Sequence, residues 1–265
     1  MESRATRIGL GIWTVLVVAF LWIPLVIIGL YAFNASPIQS WPITNWSTHW
    51  FSVAWHDPFL RSSLWLSVRI GLAATVIALV LGTMASFAIH RFSFFGRDSV
   101  SFLLLLPIAL PGIITGMALN SFFSFAGVQF STWTIVVGHA TFCIVIVFNN
   151  VVARLRRMPT SLTEASMDLG ADGFQTFLHV TLPAISTALI SGALLAFALS
   201  FDEVIVTTFT AGVQNTLPIW IFGNIRLGQQ LPEVNVVVFL ILLATIIPVA
   251  VAQRLTRESG ILRTE

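Results

Sequence analysis

Six uninterrupted apolar stretches constrain this chain more than any other feature: residues 9–33, 64–89, 100–125, 133–152, 185–206 and 234–252. Each reaches the roughly 20 residues that a helix needs to cross a bilayer. Inside lipid every backbone amide must find its partner within the protein, so stretches of this length are predicted to be helices. The expected fold class is all-α: a polytopic membrane protein with six transmembrane helices in a single transmembrane domain, residues 1–265. The composition agrees, with 57% hydrophobic and 9% charged residues, because soluble domains carry far more charge.

An even number of crossings places both termini on one side, and arginine placement decides which side that is. With the N-terminus cytoplasmic, Arg4, Arg7, Arg91, Arg97, Arg154, Arg156, Arg157, Arg254, Arg257 and Arg263 lie inside. Only Arg61, Arg69 and Arg226 then lie outside or near the outer interface. Trp41, Trp46, Trp50, Trp55, Trp65, Trp133 and Trp220 fall on or near the outer side, as an interfacial belt requires. The segment 34–61 is expected to lie on the outer membrane surface, its tryptophans anchoring it in lipid or meeting an extracytoplasmic protein. The basic N-terminus runs into the first stretch without an Ala-x-Ala-like cleavage site, so it is expected to be a retained helix.

Several chemistries are excluded. All 13 basic residues are arginine. Without lysine there is neither a Walker A phosphate loop nor a Schiff-base amine, so any ATP is hydrolysed by another chain and no cofactor is expected in this one. Cys143, the only cysteine, has no partner for an intrachain disulfide and is expected to pack. His49, His56, His90, His139 and His179 lack metal-ligand spacing and are expected at interfaces. The intramembrane serines have no Gly-x-Ser-x-Gly context, which argues against catalysis. A net charge of +2 from dispersed arginines leaves no nucleic-acid footprint.

Two regions break the apolar pattern. In the third stretch Pro107 and Pro111, the latter followed by Gly112, remove two backbone donors and must kink or unwind the helix, at a pore or at a packing contact. Between the fourth and fifth stretches lies a polar island, about residues 159–183. There Ser161-Leu162-Thr163-Glu164 has the form of a capping box, Gly170 suits a left-handed C-cap, and Asp172-Gly173-Phe174-Gln175 repeats the box. Pro183 is expected to close the second short helix. Leu162, Ala165, Ser166 and Leu169 share one face of the first. An ordinary amphipathic connector on lipid headgroups would carry the same pattern.

The spacing within this island resembles the cytoplasmic loop of ABC importer permeases, known as the EAA motif. That pattern runs Glu-Ala-Ala, three residues, Gly, nine residues, then Ile-x-Leu-Pro. Here it is met by Glu164, Ala165, Ser166, Gly170, Val180, Leu182 and Pro183, with serine for alanine and valine for isoleucine. The resemblance implies a coupling helix that docks on an ATP-hydrolysing subunit, and a type I ABC importer permease fold.

Asp202 and Glu203 are the acidic residues within the six stretches, and an ionisable group at membrane depth is a functional candidate. On a regular helix they diverge by about 100°. Glu203 would then join Ser200 and Thr207 in a polar, pore-facing stripe. Asp202 would fall among Ala198, Ile205 and Phe209 as a helix contact or gate element. An ion pair with Arg69 or His139 is the alternative for either. The following segment, 207–232, is too polar to span and too apolar for a free loop, so a re-entrant course is open.

Ser200-Phe201-Asp202-Glu203-Val204, Phe209-Thr210-Ala211-Gly212 and Thr216-Leu217-Pro218-Ile219-Trp220 are similar to the corresponding region of spermidine/putrescine-type importers, specifically their second membrane subunit. This implies a small cationic cargo such as spermidine or putrescine. Asp202, Glu203 and Thr207 would lie along its path, with Phe209, Trp220 and Phe222 supplying cation–π faces. The implied partners are a homologous second permease, two copies of an ABC ATPase holding ATP-Mg, an extracytoplasmic binding protein and the lipid of a bacterial inner membrane. The same framework serves ferric iron, phosphonates or other small organic cations. An ion-coupled secondary transporter, or a non-transporting scaffold, would use the same apolar stretches differently.

Overall fold

The computed structural model describes residues 4–261, and among these every regular element is helical. The chain runs through α1 (Arg4–Ala32), α2 (His49–His56), α3 (Pro58–Arg91), α4 (Arg97–Ala109), α5 (Gly112–Phe125) and α6 (Thr132–Leu155). It continues through α7 (Ser161–Asp168), α8 (Gly173–Thr176), a π-helical turn (Phe177–Thr181), α9 (Leu182–Phe201), α10 (Ile205–Thr210), α11 (Leu217–Leu227) and α12 (Leu231–Ile261). Arg263 lies outside the described residues.

Four helical segments are long and apolar enough to cross a membrane: Thr6–Ala32, Pro58–Arg91, Thr132–Leu155 and Gly173–Phe201. The expected third span is instead two helices, α4 and α5, bent by 105°. The cause is local. Pro111 disfavours helical geometry in the residue before it, and Leu110 accordingly adopts φ −81°, ψ 144°. In the last helix the apolar part among the described side chains is Leu231–Ile246.

The chain divides into two compact units. One comprises the chain up to Arg61 together with the chain from Ile221 onward. In it α1 and α2 pack against α12, and Phe33, Phe51 and Phe239 form a ring cluster with centroids 5.0, 5.4 and 6.3 Å apart. Gly29 lets Phe239 approach α1. Trp41, Trp46 and Trp55 are exposed, consistent with an interfacial position.

The second unit, Ser62–Trp220, is organised around α6. Ala74 and Ala78 of α3, Cys143, Val147 and Val151 of α6, and Ile185 and Ala196 of α9 form its core. Small residues set the helix spacing, as is usual where no water drives association. A Cβ on Gly82 would meet the carbonyl of Ile144 at 2.8 Å, so α3 and α6 touch backbone to backbone. Beside it the Ser86 hydroxyl lies 3.0 Å from the carbonyl of Phe148 on α6. Cys143 is buried, packing with its thiol 3.3 Å from the carbonyl of Ala196.

Candidate functional site

The polar island folds into an elbow. Its first helix starts one residue earlier than expected: Thr160 is the N-cap, already helical at φ −63°, ψ −29°, and the amides of Thr163 and Glu164 both bond its carbonyl. Ser161 is thus inside the first turn, its capping box with Glu164 does not form, and Thr163 Oγ1 donates to the Thr160 carbonyl at 2.8 Å. The far end follows expectation. Gly170 has φ +91°, its amide bonds the carbonyl of Met167 at 2.9 Å, and the amide of Ala171 reaches back to Ser166 at 3.2 Å. These are the paired bonds of a Schellman motif, which favours glycine at this position.

The second capping box is made. The Asp172 carboxylate accepts from the Gln175 amide at 2.8 Å, and Gln175 Oε1 accepts from the Asp172 amide at 3.1 Å. Pro183 does not close this helix. A π-turn widens the backbone at Phe177–Thr181, with the Leu182 amide bonding the Phe177 carbonyl, and the helix runs on from Gly173 to Phe201. Pro183 sits in the first turn of α9, where a missing N–H is tolerated. Ser166 and Thr176 hydroxyls, 3.1 Å apart, tie the two arms together. Glu164 and Ala165 are exposed, as are Leu162, Met167, Leu169 and Phe174.

The second region is a break, not a continuous fifth span. α9 ends at Phe201, Asp202 takes φ −97°, ψ 1°, and a separate short helix, α10, begins at Ile205. The helical-wheel expectation for the two acids therefore does not hold. Asp202 is exposed instead of packed against a neighbouring helix, whereas Glu203 is half-buried and its Oε1 accepts from the Val206 amide at 2.8 Å, capping α10.

Polar side chains on neighbouring helices hold α10 in place. Asn120 of α5 donates to the Phe209 carbonyl at 2.7 Å, and Thr134 of α6 lies 2.7 Å from the Thr210 carbonyl. The imidazole of His139 bridges the break, with Nδ1 2.7 Å from Ser200 Oγ and Nε2 2.8 Å from Thr207 Oγ1. Glycines permit the approach: a Cβ on Gly116 would meet the Phe209 ring at 2.7 Å, and one on Gly138 would meet Thr210 and Val206 at 3.2 Å.

Among the expected path residues, Thr207 is fully buried, Phe209 half-buried and Trp220 buried. Trp220 is accordingly not part of an exposed belt. His139 is buried within α6, not interfacial. Sequence reasoning offers His139 only as an ion-pair partner for an acid, whereas its partners are the Ser200 and Thr207 hydroxyls, and it passes over Asn120 and Thr134 as bonding residues. The available signal was a polar side chain inside an apolar stretch, which membrane helices keep only with a partner.

Helical structure throughout the described residues, long apolar helices with small residues at their crossings, a discontinuous helix and an exposed elbow together fit a membrane transport component. The family model described as "Binding-protein-dependent transport system inner membrane component" matches residues 78–257, and the chain belongs to this family. It is a permease subunit of an ABC importer, a bacterial inner-membrane transport component and not an enzyme. It is 36% identical over 233 residues to the Putrescine transport system permease protein PotI of Escherichia coli (strain K12), covering 84% of this chain and 82% of that protein. It is 30% identical over 246 residues to the Spermidine/putrescine transport system permease protein PotC of Haemophilus influenzae, covering 92% and 95%. In fold it matches a bacterial ABC transporter involved in the import of the acidic polysaccharide alginate, with TM-score 0.73 and 17% identity over 96% of this chain and 98% of that one. Membership in the family implies a partner permease, an ATPase and a binding protein.

Proposed function

We propose that this chain is the second permease subunit of a heterodimeric type I importer for a small cation carrying several ammonium groups, of the putrescine or spermidine kind. The observation that carries the cargo class is Asp202. It is an exposed carboxylate at the C-terminal end of α9, where carbonyls without helical partners and the negative end of the helix dipole add to its charge. A cation is what such a point attracts. The putrescine and spermidine/putrescine permeases among the relatives support the same class.

In this reading the elbow is the coupling element. Glu164, Ala165, Ser166 and Gly170 present its first arm to one of two ATPase subunits, and Val180, Leu182 and Pro183 carry displacement through the π-turn into α9. Exposed Leu162, Leu169 and Phe174 are the apolar area such docking would cover. The arginine distribution supports six crossings within one permease domain and cytoplasmic termini, with the bent α4–α5 pair counted as one crossing. Closure of the ATPase dimer would rock the helices around a path that passes Asp202, with Glu203, Thr207, Phe209 and Trp220 behind it. An extracytoplasmic binding protein would deliver the cargo.

The test is uptake of labelled putrescine by the complex of both permeases, ATPase and binding protein in liposomes. Asp202→Asn should lower uptake about tenfold or more, the scale of one charge-assisted contact. Full uptake by that variant would defeat the assignment of Asp202, and uptake that persists without ATP would defeat the importer reading.

A further inference from the structure

His139 is a buried side chain whose two nitrogens bond residues on opposite sides of the α9–α10 break, Ser200 before it and Thr207 after it. The hydrogen-bond partners point to one tautomer of the ring. The Thr207 hydroxyl has one hydrogen, and it is directed to the Glu203 carbonyl at 2.7 Å. Thr207 Oγ1 can then only accept from the imidazole, so Nε2 carries the proton. Ser200 Oγ is buried with Nδ1 at 2.7 Å as its hydrogen-bond partner, so Nδ1 accepts the serine proton. The tether is directional: Ser200 to Nδ1, Nε2–H to Thr207, Thr207 to the Glu203 carbonyl.

We infer that His139 is a positioning residue for transport. Its Nε2–H imidazole clamps both ends of the Asp202–Glu203–Val204 break, so that the Asp202 carboxylate emerges from one fixed backbone. The surroundings fit that role. Glu203 is held from the other side by its bond to the Val206 amide, and the Phe142 ring lies 5.6 Å from the imidazole, screening it. Gly138 beside it has no side chain, which lets α10 close on α6. The role rests on the proposed passage of cation at Asp202, whereas the tether itself does not.

Two measurements test it on the assembled complex. The first is the 15N spectrum of complex labelled with 15N-histidine, with His139→Gln identifying the signal. A protonated Nε2 and bare Nδ1 are expected; protonation at Nδ1, alone or together with Nε2, overturns the tether. The second is cargo moved per ATP hydrolysed, a ratio that the amount of folded complex does not alter. His139→Leu should lower it about tenfold, and His139→Gln, which keeps a donor near the Nε2 position, should recover most of the loss. An unchanged ratio in His139→Leu, or equal loss in both variants, overturns the positioning role. If Asp202→Asn transports normally, the cargo assignment fails by itself and the 15N spectrum still decides the tether.

Discussion

In the elbow, Leu169 and Phe174 stand 89% and 69% exposed, whereas at the α9–α10 break Ser200, Thr207 and His139 are at most 3% exposed. Apolar side chains face outward on the polar segment, and polar side chains face inward on the apolar one. The difference separates two kinds of incompleteness. At the break each buried polar group is matched inside the same unit, so the geometry is complete without a partner. At the elbow the turn between the arms is closed by hydrogen bonds but the apolar area is not covered, so what is missing is another surface. One region stores a shape and the other offers a contact.

This contrast can be broken by substitution. The largest effect on stability is expected from Thr207→Val, which strands His139 Nε2–H without an acceptor in a dry site; a loss of about 2–3 kcal/mol should appear as a lower unfolding temperature of the purified subunit. Gly170→Val comes next. A β-branched residue at φ +91° costs roughly 1–2 kcal/mol, and because the strain sits at the turn between the two arms, stimulated ATPase activity should fall more than stability does. Asp172→Ala removes one cap at about 1 kcal/mol, read as faster amide exchange across α8 with the rest of the molecule unchanged. Leu169→Ser should move stability by less than about 0.5 kcal/mol yet weaken association with the ATPase severalfold. If Leu169→Ser instead unfolds the elbow, its exposed face is structural and the contrast fails.

Much of the elbow was legible because its signals are local. Gly170 and the Asp172–Gln175 box act over three or four residues, and they form as the pattern predicts. Ser161 misled because Thr160, just after Pro159, was already able to start the helix, so the serine lay one residue too deep to cap. Pro183 misled because a proline stop can be absorbed by a π-turn, and nothing in the residue order marks where a helix will widen. At the break the error was of another kind. A continuous wheel assigns Asp202 and Glu203 by angle alone, but residues 202–204 leave the helix, which leaves Asp202 exposed and brings Glu203 onto the Val206 amide.

By itself the sequence determined that this chain lives in a membrane as helices, that proline must interrupt the third stretch, and that the 159–183 island turns at Gly170 between two helical arms. Those follow from backbone hydrogen bonding in lipid and from steric rules a few residues long. Only the tertiary structure decided that α9 stops at Phe201 and which of two adjacent acids remains open. His139 lies 61 residues before Ser200 and 68 before Thr207 in the chain, and a bond across that separation exists only once α6, α9 and α10 have packed.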